Sequence, residues 1–130
     1  VLLMGHLSDR LGKKAPFIAF GHFGAALFIY LGAIASDNWT SAIYMSLGIA
    51  VIGGALPSSW SLLQLIVPGK AVGAGAGMMN GLSNGGSAFS PVLIGWFIAL
   101  SGSYFGGLLF LVGLAVLAGL AMLVLSLQKY

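Results

Sequence analysis

Three long stretches of this chain contain no charged residue, and they limit the folds that it can adopt. They cover 15–36, 38–69 and 71–128. A helix needs about 20 apolar residues to cross the hydrocarbon core of a bilayer, so each stretch can form at least one crossing. Composition agrees, because 59% of the 130 residues are hydrophobic, 5% are charged and the mean hydropathy is +1.07. The sequence predicts an all-α integral membrane protein.

The third stretch is too long for a single crossing. Its best turn signal is Ser101-Gly102-Ser103, three small polar residues in an otherwise apolar run. Splitting it there gives four transmembrane helices, preceded by an apolar run at 1–5 that we expect to be the end of an earlier, truncated helix. The four predicted helices cover 15–35, 40–67, 71–100 and 104–127.

Positive charges fall in alternate loops of this four-helix array. The loops at 36–39 and 101–103 contain no Lys or Arg, whereas the other connections and the end of the chain hold all five. Lys and Arg are retained on the cytoplasmic side of membranes, so we expect the loop at 5–14 and the C-terminus to be cytoplasmic. This distribution explains the positive charge without a nucleic-acid partner. The five residues are Arg10, Lys13, Lys14, Lys70 and Lys129.

The second and third predicted helices differ from the other two in containing internal prolines, Pro57 and Pro91. Backbone groups freed by a proline in a membrane must find partners in neighbouring helices, hydroxyls or water. We therefore expect these two helices to lie inside the bundle and the plainer first and fourth to face lipid over much of their circumference.

The third predicted helix carries two patterns. Glycine recurs every four residues, which is typical of a ridge on which another helix packs closely. Asn80, Asn84, Ser87 and Pro91 share a second face, and polar groups in hydrocarbon need partners, so this face should meet either another helix or a wet, substrate-lining cavity. Both interpretations of the polar face remain open. The glycines are Gly73, Gly77, Gly81 and Gly85.

The second predicted helix has a matching polar face at Ser59, Trp60 and Gln64. Counted from the cytoplasmic end, Trp60 lies about 10 Å deep and Asn80 about 14 Å deep at the helical rise, so the two could share a pocket. A tryptophan offers a substrate an apolar face and an N–H donor, although it also anchors helices at membrane interfaces. For Gln64 a structural role is favoured.

Catalytic, metal and cofactor sites are not indicated. His22 stands alone in an apolar helix with no Asp, Glu or Cys at ligand spacing, which predicts a packed neutral imidazole. An enzyme would need a nucleophile, a metal site or paired acids within the spans. Asp37 or Asn38 is expected to cap the second helix, with Trp39 at the interface.

The charged loop carries the most specific motif. Gly5, Asp9, Arg10, Gly12, Lys13 and Lys14 fit GxxxD(R/K)xG(R/K)(R/K), so the loop resembles the signature loop of the major facilitator superfamily. The resemblance implies that the chain runs from the end of helix eight through helix twelve of a twelve-helix transporter. It also implies that the loop latches this half to the N-terminal half in one alternating-access state. Asp9 would be stabilised near helix N-termini by about 0.3 to 1 kcal/mol.

A finer resemblance runs from Pro57 to Tyr104 and is similar to the anion:cation symporter branch of that superfamily. It implies proton-coupled transport of organic anions such as sugar acids in a bacterial inner membrane. Trp60 and Asn80 would then line the substrate cavity, with Ser59 adjacent, and Asn84 joins them on the polar face. The chain departs from the branch at Ser90 and at Ser58-Ser59. The matching positions are Pro57, Trp60, Val67, Pro68, Gly73, Gly77, Asn80, Asn84, Gly85, Gly86, Pro91, Gly95, Gly102, Ser103 and Tyr104.

The competing hypothesis is a standalone four-helix membrane scaffold or subunit without transport activity. Such a protein would account for the hydropathy and the glycines, but it would leave the loop motif unexplained. The spans contain no Asp, Glu, Lys or Arg, so groups that bind a proton or a substrate carboxylate are expected on other helices of the same transporter.

Overall fold

A computed structural model shows an all-helical chain and describes residues 6, 10 and 12–128. In the described part of the chain, four long helices follow one another with short connections, and a 3-10 turn, Gly69–Ala71, precedes the third. The predicted helices are confirmed to within two residues at each end, while the predicted helix end at 1–5 lies outside the described residues. The helices are α1 (Ala15–Ile34), α2 (Asn38–Ile66), α3 (Val72–Ser101) and α4 (Tyr104–Leu127).

The start of α2 is set by a side-chain cap. The Asp37 carboxylate accepts a hydrogen bond of 2.9 Å from the backbone N–H of Thr40, which satisfies one of the unpaired donors at the helix start. The hydrogen bonds from Thr40 hold the pKa of the Asp37 carboxyl below its ordinary value. The predicted cap is confirmed, and it starts α2 two residues earlier than hydropathy suggested.

Two glycines with positive φ stand at helix boundaries. Gly12 has a φ of +63° shortly before α1, and Gly102 has a φ of +69° directly after α3. The left-handed region is costly for residues with a Cβ, so glycine suits both positions. At the second turn the Ser101 hydroxyl donates to the carbonyl of Phe97 over 2.7 Å. The predicted turn at Ser101-Gly102-Ser103 is confirmed.

Three of the described helices, α1, α2 and α4, are long and apolar enough to cross a membrane. The α3 helix has 30 residues, about 45 Å at the helical rise, so its length also suffices. Its many glycines, serines and asparagines lower its hydropathy. The fourth crossing, expected at 71–100, stays a prediction.

Helix α1 packs between α2 and α4, and glycines allow the close approach to α2. A Cβ on Gly21 would lie 2.6 Å from the Ala55 Cβ, and one on Gly24 would lie 2.7 Å from a Val51 methyl. Closer to the connecting turn, the Ser41 hydroxyl donates to the Gly32 carbonyl over 2.9 Å. Small residues and an interhelical hydrogen bond therefore join α1 and α2.

The other side of α1 packs against α4. A Cβ on Gly119 would lie 2.9 Å from the Phe23 ring, so the absence of a side chain at Gly119 makes room for that ring. Ala15, Ile18 and Leu62 form a small buried cluster near the start of α1, with Met122 of α4 packed against it. Within the described chain α1 is thus the most enclosed helix, whereas the sequence predicted that the proline-containing helices would be central.

Helix α3 is attached at its two ends. Near its C-terminus Phe97 stacks on Phe110 of α4 with ring centroids 4.4 Å apart. Near its N-terminus a Cβ on Gly75 would lie 3.3 Å from a Val67 methyl. The segment from 80 to 89 is exposed throughout, so the described helices leave the middle of α3 uncovered.

We predict that Gly21→Ala destabilises the bundle by about 1 to 3 kcal/mol, because the added methyl has no room beside Ala55. Thermal unfolding in detergent measures the change. Gly113→Ala on α4 is the matched control and should be close to neutral, because no other described helix comes within 4 Å of the added methyl group. Adding Ala55→Gly to Gly21→Ala should restore stability, and failure of that rescue would contradict the close-contact explanation.

Candidate substrate-binding surface

The polar face of α3 is open. Asn80, Asn84 and Ser87 are all exposed, and across the described part of the chain neither asparagine amide has a hydrogen-bond partner. The Ser87 carbonyl accepts from the Ser90 hydroxyl over 2.9 Å. An amide left unpaired in hydrocarbon is costly, so these side chains require polar contacts from outside the described helices.

The glycine ridge of α3 is open as well. At the four predicted packing positions, no side chain and no other helix of the described residues comes within 4 Å of where a Cβ would be, the two chain neighbours apart. Helix packing on this ridge therefore stays a prediction and would need a partner outside the described helices. Both α2 and α3 stay helical through their prolines, Pro57 and Pro91. The four positions are Gly73, Gly77, Gly81 and Gly85.

On α2 the predicted site residues have different surroundings. Trp60 is 37% exposed, and Gln64 is exposed one turn further along. The Ser59 hydroxyl donates to the Ala55 carbonyl of its own helix over 3.4 Å. Ser58 is 1% exposed and lies within the packed part of α2. Trp60 and Gln64 are therefore the accessible polar groups here.

A cleft of about 210 Å³ lies where all four helices meet, and we call it the Ser59 cleft. It brings together Ser59 of α2 and Met79 of α3, the immediate neighbours of Trp60 and Asn80. Successive helical residues point about 100° apart, so Trp60 and Asn80 point elsewhere, and neither lines this cleft. The lining residues are Ile18, Ser59, Leu62, Leu63, Ile66, Met79, Met122 and Leu125.

The signature loop is described in part. Arg10, Gly12 and Lys13 are exposed, whereas Lys14, at the start of α1, is 7% exposed. Gly5 and Asp9 lie outside the described residues. The exposed cations can meet lipid phosphates or carboxylates.

Among the described residues no cluster of His, Asp and Glu could hold a metal ion. His22 donates from Nδ1 to the Ile18 carbonyl over 2.9 Å when that nitrogen carries the proton. The ring is thus tied to its own helix, as expected of a packed imidazole.

Sequence reasoning overlooked the glycines at the contact between α1 and α2. The regular glycine repeat in α3 predicted close packing there, but the close approach to α2 is made by Gly21, Gly24 and Gly32 of α1. Small residues at 21, 25 and 32 share one face of that helix, and this spacing was the available signal. The spacing was hard to recognise because α1 also has alanines and large apolar residues on its other faces.

The apolar helices and the polar stripe on α3 define an integral membrane protein of helical type. The family model described as Major Facilitator Superfamily matches residues 1–129. The chain belongs to this superfamily.

Curated relatives include transporters named for organic acids. A "Putative tartrate transporter" of Agrobacterium vitis is 31% identical over 97% of this chain and 29% of its own length. A "Probable galactarate/D-glucarate transporter" of Bacillus subtilis is 28% identical over 96% of the chain and 27% of its own length. The "Gentisate transporter" of Corynebacterium glutamicum is 33% identical over 66% of the chain and 19% of its own length. The chain thus spans less than a third of these relatives. No solved structure gives a significant match.

We predict that Asn80→Cys and Asn84→Cys react with a charged, water-soluble thiol reagent in the membrane-embedded protein, because their face of α3 requires polar surroundings. The chain has no native cysteine, so each variant carries a single reactive group. Leu82→Cys, on the same exposed segment but a different helix face, is the matched control and should react at least several-fold more slowly. Equal rates at 80, 82 and 84 would show that no polar environment distinguishes the asparagine face.

Proposed function

We propose that this chain is the C-terminal part of a secondary carrier that moves small organic anions, such as sugar acids, by proton-coupled alternating access. In this proposal α1 to α4 correspond to helices nine to twelve of a twelve-helix transporter. The observation that carries the proposal is a pair of amides, Asn80 and Asn84, that have no hydrogen-bond partner among the described residues and lie on an exposed helix of a membrane protein. The organic acids in the relatives' names support the substrate class.

The chemistry of the proposed site suits a hydroxylated carboxylate. Asparagine amides donate to carboxylate oxygens and both donate to and accept from hydroxyls. Asn80 and Asn84 are one turn apart, about 6 Å along the axis, so they can contact two groups of one small molecule. Trp60 would add an apolar face and an indole N–H. The Ser59 hydroxyl, which donates to Ala55, can accept from a substrate hydroxyl.

Charge neutralisation would come from other helices of the carrier. The four described helices contain no Asp, Glu, Lys or Arg. A substrate carboxylate entering the membrane needs a counter-charge or a dense set of donors, and proton coupling needs a titratable group. In this proposal α2 and α3 orient the substrate, while the N-terminal half of the same transporter supplies the charged contacts, so the 130-residue chain alone does not transport.

The signature loop would control conformation and not substrate choice. Its cations, with Lys70, would lie on the cytoplasmic side, as the positive-inside rule predicts. Asp9 would latch this half to the other through unpaired N–H groups at helix N-termini, an interaction of about 0.3 to 1 kcal/mol that can form and break during a transport cycle. Arg10 and Lys13 are exposed and would pair with carboxylates or lipid phosphates.

We predict that Asn80→Ala and Trp60→Ala in the full-length carrier weaken binding of sugar acids. Loss of one hydrogen bond of about 0.5 to 1.5 kcal/mol corresponds to an affinity loss of roughly 2- to 10-fold. Isothermal titration with a panel of tartrate, glucarate and galactarate measures it. Leu82→Ala is the control and should bind normally. Unchanged affinities for both site variants across the panel would remove Trp60 and Asn80 from the site.

We also predict that Asp9→Asn in the full-length carrier alters the balance of inward- and outward-facing states while membrane insertion stays normal. The amide keeps the size of the side chain but loses the charge that helix N-termini stabilise. Labelling of single cysteines on the two sides of the membrane reports the balance of states. The control Lys13→Gln tests whether removing a different charge from the loop has the same effect. Unchanged labelling and transport in Asp9→Asn would reject the latch.

A further inference from the structure

The Ser59 cleft lies at one end of the described bundle. Among its lining residues, Ile18 is the fourth residue of α1, Ile66 is the last residue of α2, and Leu125 stands two residues before the end of α4. Ser59 is the lining residue of α2 furthest from that end, about 10 Å deeper than Ile66 at the helical rise. The cleft therefore runs from the end of the bundle inward to the level of Ser59.

The lining of this cleft is apolar except at Ser59. The Ser59 hydroxyl donates to the Ala55 carbonyl of its own helix over 3.4 Å, so it presents no unsatisfied donor to the cleft. Met79 and Met122 add flexible side chains that adapt to a ligand of irregular shape. An apolar cavity of about 150 Å³ holds a benzene molecule, so the volume of about 210 Å³ has room for a hydrocarbon segment of roughly eight carbons. The cleft thus suits hydrocarbon better than water.

Positive charge surrounds the same end of the bundle. Lys13 lies two residues before α1, and Lys70 lies in the turn between α2 and α3. Both side chains are exposed, and neither has an ion-pair partner among the described residues. Asp37, the acid within the described residues, caps α2 at the opposite end. Even with Asp9 counted, the loop at 5–14 and Lys70 contain four cations and one acid. An anion near the mouth of the cleft therefore meets net positive charge.

A second cleft, of about 270 Å³, provides an internal comparison, and we call it the Met45 cleft. It is also apolar, and its lining includes Ile29 of α1, Met45 of α2 and Leu111 of α4. These residues lie in the other half of each helix, towards the connections at 35–37 and 102–103, which contain no Lys or Arg. Of these two clefts, only the Ser59 cleft has cations near its mouth.

We propose that the Ser59 cleft binds one acyl chain of an anionic phospholipid, whose phosphate pairs with Lys13 and Lys70 at the end of the bundle. The apolar lining matches the acyl chain and the two cations match the headgroup. Each lysine near the membrane surface contributes roughly five-fold to the affinity for an anionic lipid. The proposal goes beyond anion transport, because Trp60 and Asn80 do not line this cleft and lipid binding requires no transported substrate.

Photo-cross-linking of the full-length carrier in lipid nanodiscs tests the proposal. The probe is phosphatidylglycerol with a diazirine on one acyl chain, and the reference probe is phosphatidylcholine with the same chain. We expect the phosphatidylglycerol probe to label peptides containing Met79, Met122 or Leu125 at least roughly five-fold more strongly than the reference probe does. Lys13→Gln and Lys70→Gln should each lower that labelling by roughly five-fold and leave labelling by phosphatidylcholine unchanged.

A matched pair of variants on α4 tests where the acyl chain lies. Leu125→Trp fills the Ser59 cleft, whereas Leu111→Trp places the same side chain in the Met45 cleft, and both leucines are half-buried. We expect Leu125→Trp to abolish labelling of the Ser59 cleft and Leu111→Trp to leave it intact. If Leu125→Trp folds poorly, the two lysine variants, which alter exposed side chains, still decide the question.

Four outcomes would overturn the proposal. They are equal labelling by the two probes, labelling that persists in folded Leu125→Trp, labelling that is unchanged in both lysine variants, and no labelling of the cleft by either probe. The last outcome is expected if another helix of the carrier covers the cleft. None of these readouts involves a transported anion, so the result is separate from that of the transport assays.

Discussion

The close contact between α1 and α2 is the interaction on which the rest of the described structure depends. Because Gly21 and Gly24 have no side chain, the backbone of α1 packs directly against the methyl groups of Ala55 and Val51 on α2. Near the turn that joins the two helices, the Ser41 hydroxyl donates a hydrogen bond to the Gly32 carbonyl. In a membrane, packing of this kind replaces the hydrophobic drive that joins helices in water. With α1 and α2 joined, α4 packs on the other side of α1 and the inner face between them is defined.

Helix α3, in contrast, makes few contacts with the other described helices. It is fixed to α4 by the Phe97–Phe110 stack and touches α2 near the start of α3. The described helices leave its middle uncovered, and its amides have no hydrogen-bond partner among the described residues. The enclosed helices contain mostly small and aliphatic side chains, while the uncovered helix holds the polar groups suited to a hydroxylated anion. The packing that stabilises the described bundle is thus centred on α1, while the proposed substrate recognition uses α3 together with Trp60 of α2, and Ser59 and Met79 lie where the four helices meet.

Much of the fold could be predicted from sequence because lipid restricts the choice so strongly. Charge-free length determined the helices, Ser101-Gly102-Ser103 marked a turn, and Asp37 marked a helix start. The same reasoning placed the internal packing on the α3 glycines, where no described neighbour is present, and overlooked Gly21. Periodicity shows that small residues share a face, but it does not show which helix meets that face. Whether Trp60 and Asn80 share a pocket depends on how α2 and α3 are rotated about their axes, and periodicity does not determine that rotation.

The sequence by itself determined that this is a helical membrane protein, where its helices begin and end, and which superfamily motif it carries. These properties follow from local hydropathy, capping and turn chemistry, which act between residues close together in the chain. Only the tertiary structure decided that α1 is the most enclosed of the described helices and that the α3 amides find no partner among the described residues. Those outcomes depend on the rotation and approach of whole helices, which distant side chains set together.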